Sequence, residues 1–280
     1  MTKPDHIIYL DHAATTPMDP RVLEAMRPYF LEVYGNPSSF HSVGLAAKEA
    51  VSAARGSIAA LLGTREEEIL FTSGGTESNN LVVMGVPRGQ KKALHEKFGP
   101  EAKPHVITSA IEHHAILEPL IWLERVGEIE LTTLPVSRDG LVDIEELEKA
   151  LKPTTVLVTI MTANNEIGTI EPIADIGRRL LAWRKEQKTA YPYFHTDACQ
   201  AAGVLDLNVE KTHVDLLTMN GSKIYGPKGI GILYVRRGVK IEPLIRGGGQ
   251  ERNIRSGTEN VPGIVGLAKA FELVQANRES

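Results

Sequence analysis

Short apolar runs alternate with longer segments of helical periodicity along most of the chain. The runs lie between polar or glycine-containing turns and predict buried strands, over residues 69–73, 105–109, 129–134, 156–161, 191–196, 214–219 and 230–235. Several of these runs are apolar on both faces, which is typical of parallel strands covered by helices. The pattern therefore predicts an α/β fold with three layers, αβα, around a mostly parallel sheet of about seven strands.

Helical periodicity fills most of the intervals between these strands. One helix is predicted over 20–33, with Asp19 as its N-cap and Pro20 in its first position. A long alanine-rich helix is predicted over 44–62 and should end at Gly63. Further helices are predicted from Ser78 onward and over 116–125, 144–151, 173–186 and 264–276. Residues 87–104 combine lysines with glycines and prolines, and we expect an exposed insertion of low order there.

The composition is that of an ordinary soluble globular protein. The 280 residues are 42% hydrophobic and 24% charged, with a formal net charge of -4 and a single cysteine. The charge pattern gives no support for nucleic acid or an anionic membrane as a partner, and one cysteine fits a reducing compartment. The N-terminus lacks the apolar core of a signal peptide and no run has membrane-spanning length, so we expect a cytoplasmic protein.

Two lysines, Lys223 and Lys228, lie in a polar, glycine-rich turn between the last two predicted strands. A lysine on such a turn can present its amine to a cofactor at the rim of a sheet. Desolvation or nearby cations then allow the amine to attack an aldehyde. Taken alone, such a pair is more often two solvated turn residues.

A strand running into Ser73, Gly74, Gly75 and Thr76 and then into a helix predicts an anion site. Free backbone N–H groups lie at the positive end of a helix, and glycines allow a ligand to approach closely. The segment lacks the spacing of a dinucleotide fingerprint or a P-loop. A plain helix cap is an equal alternative for this motif.

Asp197 ends a predicted strand, and a buried carboxylate there needs a cationic partner such as a protonated pyridine nitrogen. His195, Asp197 and Cys199 share one face of that strand. We expect no metal, because three ligands on one strand converge poorly on a tetrahedron and no fourth lies nearby.

Two further polar segments leave alternatives open. Asn164 and Asn165 follow another predicted strand and could orient a ring substituent or merely form a turn. Glu112, His113 and His114 follow the strand over 105–109. There, one imidazole could stack on a planar ligand or transfer a proton, or the pair could simply pack at a helix start.

Taken together, these motifs resemble the cysteine desulfurases of the class V aminotransferase group, pyridoxal phosphate enzymes of fold type I. Eight motifs match in family order and cover essentially the whole chain, at 9–17, 35–39, 71–77, 112–113, 164–168, 197–200, 223–231, and 247–252 with 255–258. The resemblance implies a large domain over 16–260 that binds the cofactor. Residues 1–15 would belong with the small domain at the active-site rim, and 261–280 would be a connecting helix toward it.

The resemblance also implies roles for individual residues. Lys223 would bond to the aldehyde of pyridoxal phosphate and later shuttle the α-proton of the substrate. Asp197 would pair with the pyridine nitrogen and keep it protonated, while His113 would stack on the ring. Asn165 and Gln200 would hold the phenolic oxygen of the ring.

The remaining implied contacts concern the phosphate and the substrate. Asn36 would lie on the substrate side of the site. The phosphate would be held by Gly75, Thr76, Asn220 and Ser222, and by Thr258 from the other subunit of a homodimer. Family members usually carry a histidine where Ser222 stands and often a serine where Asn220 stands. We therefore expect somewhat weaker retention of the cofactor.

The implied reaction converts L-cysteine to L-alanine and passes the sulfur on as a persulfide, typically toward iron–sulfur cluster assembly through a sulfur-acceptor protein. In the family, the nucleophilic cysteine lies in a C-terminal small domain, and this sequence stops before it. Cys199, beside the ring, is expected to pack rather than to carry persulfide. The alternatives are another class V activity, such as selenocysteine lyase or aminotransferase, and a non-catalytic cofactor-binding remnant.

Overall fold

A computed structural model describes residues 8–278, and their strands form one sheet. The strands are β1 (Ile69–Thr72), β2 (His105–Ser109), β3 (Glu130–Leu134), β4 (Thr155–Thr159), β5 (Tyr193–Asp197), β6 (Leu216–Asn220) and β7 (Gly231–Val235). Their order across the seven-stranded sheet is β1-β7-β6-β5-β4-β2-β3. Strand β7 runs antiparallel to β1 and β6, whereas the remaining pairs are parallel. The predicted α/β class and the mostly parallel sheet are thereby confirmed.

Helices cover both faces of this sheet. They are α1 (Pro20–Met26), α2 (Pro28–Leu31), α3 (Ser42–Leu62), α4 (Gly75–Phe98), α5 (His114–Arg125), α6 (Ile144–Ala150), α7 (Ile173–Gln187), α8 (Val209–Thr212) and α9 (Val261–Ala276). Helices α1, α3, α6, α7 and α9 contribute to one apolar core, and α4 and α5 contribute to a second. Each core includes residues of the same strands, so the molecule has the predicted three layers.

Burial follows the position of each strand in the sheet. All residues of β2, β4, β5 and β7 are buried, as expected for strands covered on both faces. Strand β3 lies at an edge of the sheet and has only Leu134 buried. The parallel strands β4, β5 and β6 end side by side, which is where α/β sheets bind their ligands.

The predicted helix over 20–33 is wrong in its continuity, since α1 and α2 meet at Arg27 and Pro28. A proline has no N–H to donate, and its ring clashes with the carbonyl four residues earlier, so a helix breaks there. In contrast, α3 ends at Gly63 as predicted, with a left-handed φ of 70° at that glycine.

The expectation of low order is also wrong for residues 87–98, which continue α4. Pro87, Gln90 and Leu94 are buried at helical spacing on the face that packs against the core. The Gln90 side chain donates to the Lys240 carbonyl at 3.0 Å, which also holds this part of the helix. Tertiary packing therefore outweighs the local signal of glycine, proline and lysine.

Within residues 8–278, no helix combines the length and the apolar character needed to cross a bilayer.

Candidate active site

A cavity of about 520 Å³ opens where β4, β5 and β6 end and α4 begins. Its volume is in the range of small-molecule sites. Most of the site residues predicted from sequence line it, namely Gly75, Thr76, His113, Asn165, Asp197, Gln200, Asn220 and Lys223. Residues from across the chain thus converge on one chamber at the ligand-binding edge of the sheet.

Lys223 lies on the turn after β6, and its amine points toward the N-terminal segment. The Nζ atom donates to the backbone carbonyls of Ala13 and Ala14, the latter at 2.9 Å. Thr16 holds this segment against the turn, because its N–H donates to the Ser222 carbonyl at 2.8 Å. Both acceptors are neutral carbonyls, so these contacts do not bind the amine in an ion pair.

Asp197 ends β5 with 6% of its surface exposed. Its carboxylate accepts a hydrogen bond from Asn79 Nδ2 at 2.6 Å and another from the Cys199 N–H at 2.9 Å. The side chain is therefore fixed in direction while it lines the cavity. Sequence reasoning missed Asn79, although this residue lies one helical turn after Gly75 and hence on the same face of α4.

His195 does not join Asp197 in a metal site. Its ring is fully buried and makes hydrogen bonds to Thr159 Oγ1 at 2.8 Å and Thr218 Oγ1 at 3.1 Å. Burial lowers the pKa of this histidine to about 4, so the ring is neutral and serves packing between strands. No cluster of histidine, cysteine and acidic side chains suited to a metal ion occurs within residues 8–278.

The start of α4, where the sequence predicts an anion site, lies at one end of the main cavity. Gly74 is its N-cap and supplies no side-chain cap, which leaves the first N–H groups of the helix for a ligand. A second cavity of about 400 Å³ at this end is lined by residues that include Thr76, Asn220, Ser222 and Lys228. Ser222 thus lines this second cavity rather than the main one. Lys228 adds a cation there that sequence reasoning left as a solvated turn residue.

His113 is the N-cap of α5, and its Nδ1 accepts from the Ala115 N–H at 3.0 Å. A neutral ring in this arrangement carries its proton on Nε2. Both alternatives left open for His113 are compatible with this geometry, because the residue starts a helix and also lines the cavity. Asn165 Nδ2 donates to its neighbour Glu166 Oε1 at 2.9 Å.

Asn36 and Thr258 are exposed, and neither lines the two cavities. The Asn36 Oδ1 atom accepts from the Ser38 N–H at 2.9 Å, which makes a local turn before α3. The roles expected for these two residues stay predictions, and the role of Thr258 concerns a second subunit.

Cys199 packs against the start of α4, where a Cβ added at Gly75 would lie 2.7 Å from its Sγ atom. Burial, followed by the nearby Asp197 carboxylate, raises the pKa of the thiol well above its usual range. A thiol that keeps its proton is a poor nucleophile. This supports a packing role for Cys199.

The family model for class-V aminotransferases matches residues 8–279. The chain belongs to this family. It is 51% identical over 266 residues to the cysteine desulfurase IscS of Dictyoglomus turgidum, covering 95% of this chain and 63% of that protein. The chain thus spans less than two thirds of the length of this relative.

Solved structures are also similar to this chain over nearly its whole length. A NifS-like protein superposes with a TM-score of 0.88 at 43% identity, over 97% of this chain and 70% of the other. A structure titled SspA in complex with cysteine superposes with a TM-score of 0.85 at 41% identity, covering 94% of this chain and 72% of the other. Pyridoxal phosphate is the cofactor of this family.

The residues present fit this cofactor. Three amide oxygens around the main cavity are buried and have no hydrogen-bond partner within residues 8–278: Asn79 Oδ1, Gln200 Oε1 and Asn220 Oδ1. Buried polar atoms are rarely left unpaired, so these atoms indicate a polar ligand. The cavity also offers a helix start for a phosphate, a carboxylate for a ring nitrogen and an amine for an aldehyde.

Proposed function

We propose that the chain carries the pyridoxal phosphate site of a cysteine desulfurase, which converts L-cysteine to L-alanine and transfers the sulfur to an acceptor thiol as a persulfide. The observation that supports this most strongly is that Lys223 and Asp197 line one cavity, between the end of β5 and the turn after β6. The similarity to cysteine desulfurases over nearly the whole chain supports the substrate class.

In this proposal, each side chain has a defined task. Pyridoxal phosphate, when bound, supplies an electron sink for the carbanion formed at the substrate Cα. Lys223 removes the proton from that carbon at its Nζ atom and returns it later. Asp197 holds a proton on the pyridine nitrogen, and Asn79 keeps the carboxylate aimed at that nitrogen through the bond at 2.6 Å.

Other residues bind and orient the cofactor. The N–H groups of Gly75 and Thr76 at the start of α4 bind the phosphate, and Ser222 adds a hydroxyl. Lys228 lines the same end of the site and supplies positive charge where family members use a histidine beside the lysine. His113 covers one face of the ring, and Asn165 and Gln200 orient the phenolic oxygen.

We further propose a cytoplasmic homodimer in which Thr258 reaches the phosphate of the partner site, and a sulfur-acceptor protein as a partner. The resemblance of the loop motif 255–258 to that of cysteine desulfurases supports the shared site. The single cysteine supports a reducing compartment. The name of the relative in Dictyoglomus turgidum supports a role in iron–sulfur cluster assembly.

Covalent trapping tests the cofactor site. The purified chain, loaded with pyridoxal phosphate, should show a visible absorption band that borohydride abolishes, and mass mapping should then find the cofactor on Lys223. The variant Lys223→Ala should show neither the band nor the trapped product, because no other lysine within residues 8–278 lines the main cavity. Lys228→Ala is the matched control and should retain the trapped product. Trapping on a lysine other than Lys223 would contradict the assignment.

Product analysis tests the reaction. With L-cysteine and an excess of a small thiol, whose thiolate takes the sulfur as a persulfide in place of the family's C-terminal cysteine, alanine should form. The variant Cys199→Ala should form it at an unchanged rate, because the Cys199 thiol keeps its proton. An accumulation of aminated cofactor would identify an aminotransferase instead, and turnover of selenocysteine alone would identify a selenocysteine lyase. Tight cofactor binding with no turnover of any of these amino acids would point to a non-catalytic form.

A further inference from the structure

Glu112 is a buried acid that the proposed reaction does not use. It lies between β2 and α5, immediately before His113, and 5% of its surface is exposed. Its Oε1 atom accepts a hydrogen bond from Ser109 Oγ at 2.8 Å and another from the Met161 N–H at 2.7 Å. One carboxyl oxygen therefore joins the end of β2 to the segment that follows β4.

A second link reinforces this connection. Asn164 Nδ2 donates to the Ile111 carbonyl at 2.9 Å, while Asn164 Oδ1 accepts from the Glu166 N–H at 2.8 Å. The two loops joined in this way are the ones that present His113 and Asn165 to the cavity. A shift of Glu112 would therefore displace both loops, and with them His113 and Asn165.

The surroundings of Glu112 are unfavourable for a negative charge. The charged groups that act on it are Asp197, at the end of β5, and Glu171, before α7, and both are acids. The Glu112 Oε2 atom is buried and has no hydrogen-bond partner within residues 8–278. Burial first, and these acids in addition, raise the pKa of Glu112 to about 8.

We propose that Glu112 is a positioning residue of the cofactor site: as a neutral carboxylic acid, it fixes the loop bearing His113 and adds no buried charge beside Asp197, the carboxylate that pairs with the ring nitrogen. The inference rests on the proposed pyridoxal phosphate site. The physical reason for a neutral Glu112 is that its Oε1 atom can still accept hydrogen bonds from both Ser109 and the Met161 N–H. An ionised carboxylate would add a second buried charge beside Asp197 and would need a cation of its own.

The sign of the pH effect follows from the two states of the chain. An unfolded glutamate has a pKa near 4.5, and the folded one has a pKa of about 8. The folded chain therefore binds the proton more tightly, and its stability falls as the pH rises from about 4.5 to about 8. Buried histidines such as His195 act in the opposite direction, and only below their unfolded pKa of 6.5.

The experiment compares Glu112→Gln and Glu112→Ala with the wild type, and uses Glu118→Gln on the exposed face of α5 as control. The first readout is the thermal unfolding temperature of the cofactor-free chain between pH 5 and pH 9. Glutamine matches a neutral acid in shape and keeps the acceptor. Glu112→Gln should therefore remove the fall in stability with pH between 6.5 and 8, while Glu118→Gln should keep it.

The second readout is the dissociation constant of pyridoxal phosphate, measured by equilibrium dialysis. Glu112→Gln should bind within about threefold of the wild type, whereas Glu112→Ala should bind about tenfold more weakly, equivalent to about 1.4 kcal/mol. Glu112→Gln binding as weakly as Glu112→Ala, or a pH profile that Glu112→Gln leaves unchanged, would overturn the proposal. If Glu112→Ala fails to fold, the proposal is still tested by Glu112→Gln, through its affinity for pyridoxal phosphate and its unfolding temperature as a function of pH.

The two proposals fail in different ways. If no cofactor can be trapped on Lys223 of the wild type, the proposed function is wrong. The change of the unfolding temperature with pH still shows whether Glu112 is protonated. If the cofactor is trapped on Lys223 but the profile is insensitive to Glu112→Gln, only the role of Glu112 is lost.

Discussion

Asp197 combines a buried carboxylate with two fixed hydrogen-bond donors, Asn79 and the Cys199 N–H. The variant Asp197→Asn keeps the shape but removes the charge that would hold a proton on the ring nitrogen. Asn79 can turn its amide to accept a hydrogen bond, because its Oδ1 atom has no partner within residues 8–278. The fold should therefore survive this change.

We expect Asp197→Asn to weaken pyridoxal phosphate binding about 10- to 100-fold, the equivalent of roughly 1.5–3 kcal/mol for a hydrogen bond to a charged group. Equilibrium dialysis measures the affinity, and thermal unfolding checks that the chain stays folded. Asp139→Asn, in an exposed loop, is the control and should change neither value. Unchanged affinity in Asp197→Asn would remove the proposed pairing with the ring nitrogen.

Among individual residues, most of those that the sequence motifs predicted line the cavity. Lys223, Asp197 and His113 carry rare chemistry at strand ends, so their types and positions were informative. Asn79 was missed and Lys228 was given no role of its own, because an asparagine inside a helix and a lysine in a turn are common. Only the folded structure shows that Asn79 donates to Asp197 and that Lys228 lines the second cavity.

Helix α3 illustrates how one element depends on its last residue. Gly63 ends the helix with a φ of 70°, and a Cβ there would lie 2.4 Å from Asn208 Nδ2. The Asn208 side chain in turn accepts from the Glu210 and Lys211 N–H groups, each at 3.1 Å, at the start of α8. A side chain at position 63 would therefore strain one helix end and displace the cap of another helix.

We expect Gly63→Ala to lower the free energy of unfolding by about 2–3 kcal/mol, from left-handed strain of about 1–2 and loss of a cap of about 1. Thermal melts should show a fall of roughly 4–12 °C. Gly168→Ala is the control, because Gly168 has a φ of 75° but nothing within 4 Å of the added Cβ. An equal loss in both variants would show that the contact with Asn208 does not matter.

The strands predicted from periodicity matched those of the structure to within two residues at their ends. Helix α4 did not: it begins at Gly75 rather than Ser78, and it continues through Pro87 to Phe98. Glycine, proline and lysine lower helix propensity or favour exposure only locally. Packing of α4 against the sheet was not visible in that local signal.

The proposed homodimer makes each cofactor site depend on two chains. Thr258 is exposed and lines neither cavity of its own chain. Sedimentation should therefore give twice the chain mass of 30.6 kDa. Thr258→Ala should weaken pyridoxal phosphate binding about tenfold, the loss of roughly one hydrogen bond to a charged group.

The conservative variant Thr258→Ser keeps the hydroxyl and should bind the cofactor nearly as well as the wild type. A monomer that binds pyridoxal phosphate equally well with Ala or Ser at position 258 would argue against a shared site.

For the molecule as a whole, the α/β class, the parallel sheet and the family could be predicted from the order of residues. Apolar periodicity and the spacing of motifs are properties of neighbouring residues, so they can be recognised without any knowledge of the fold. The place of Lys223 and Asp197 at one cavity was predictable to the same extent, because both belong to recognisable local motifs.

The folded chain was needed for the individual contacts between distant residues. Ala13 and Ala14 accept from Lys223, and Asn79 donates to Asp197, across separations of more than 100 residues. The raised pKa of Glu112 likewise results from its burial and, in addition, from the nearby Asp197 and Glu171. Burial and charge depend on the surroundings in space, and packing of the sheet and helices creates those surroundings.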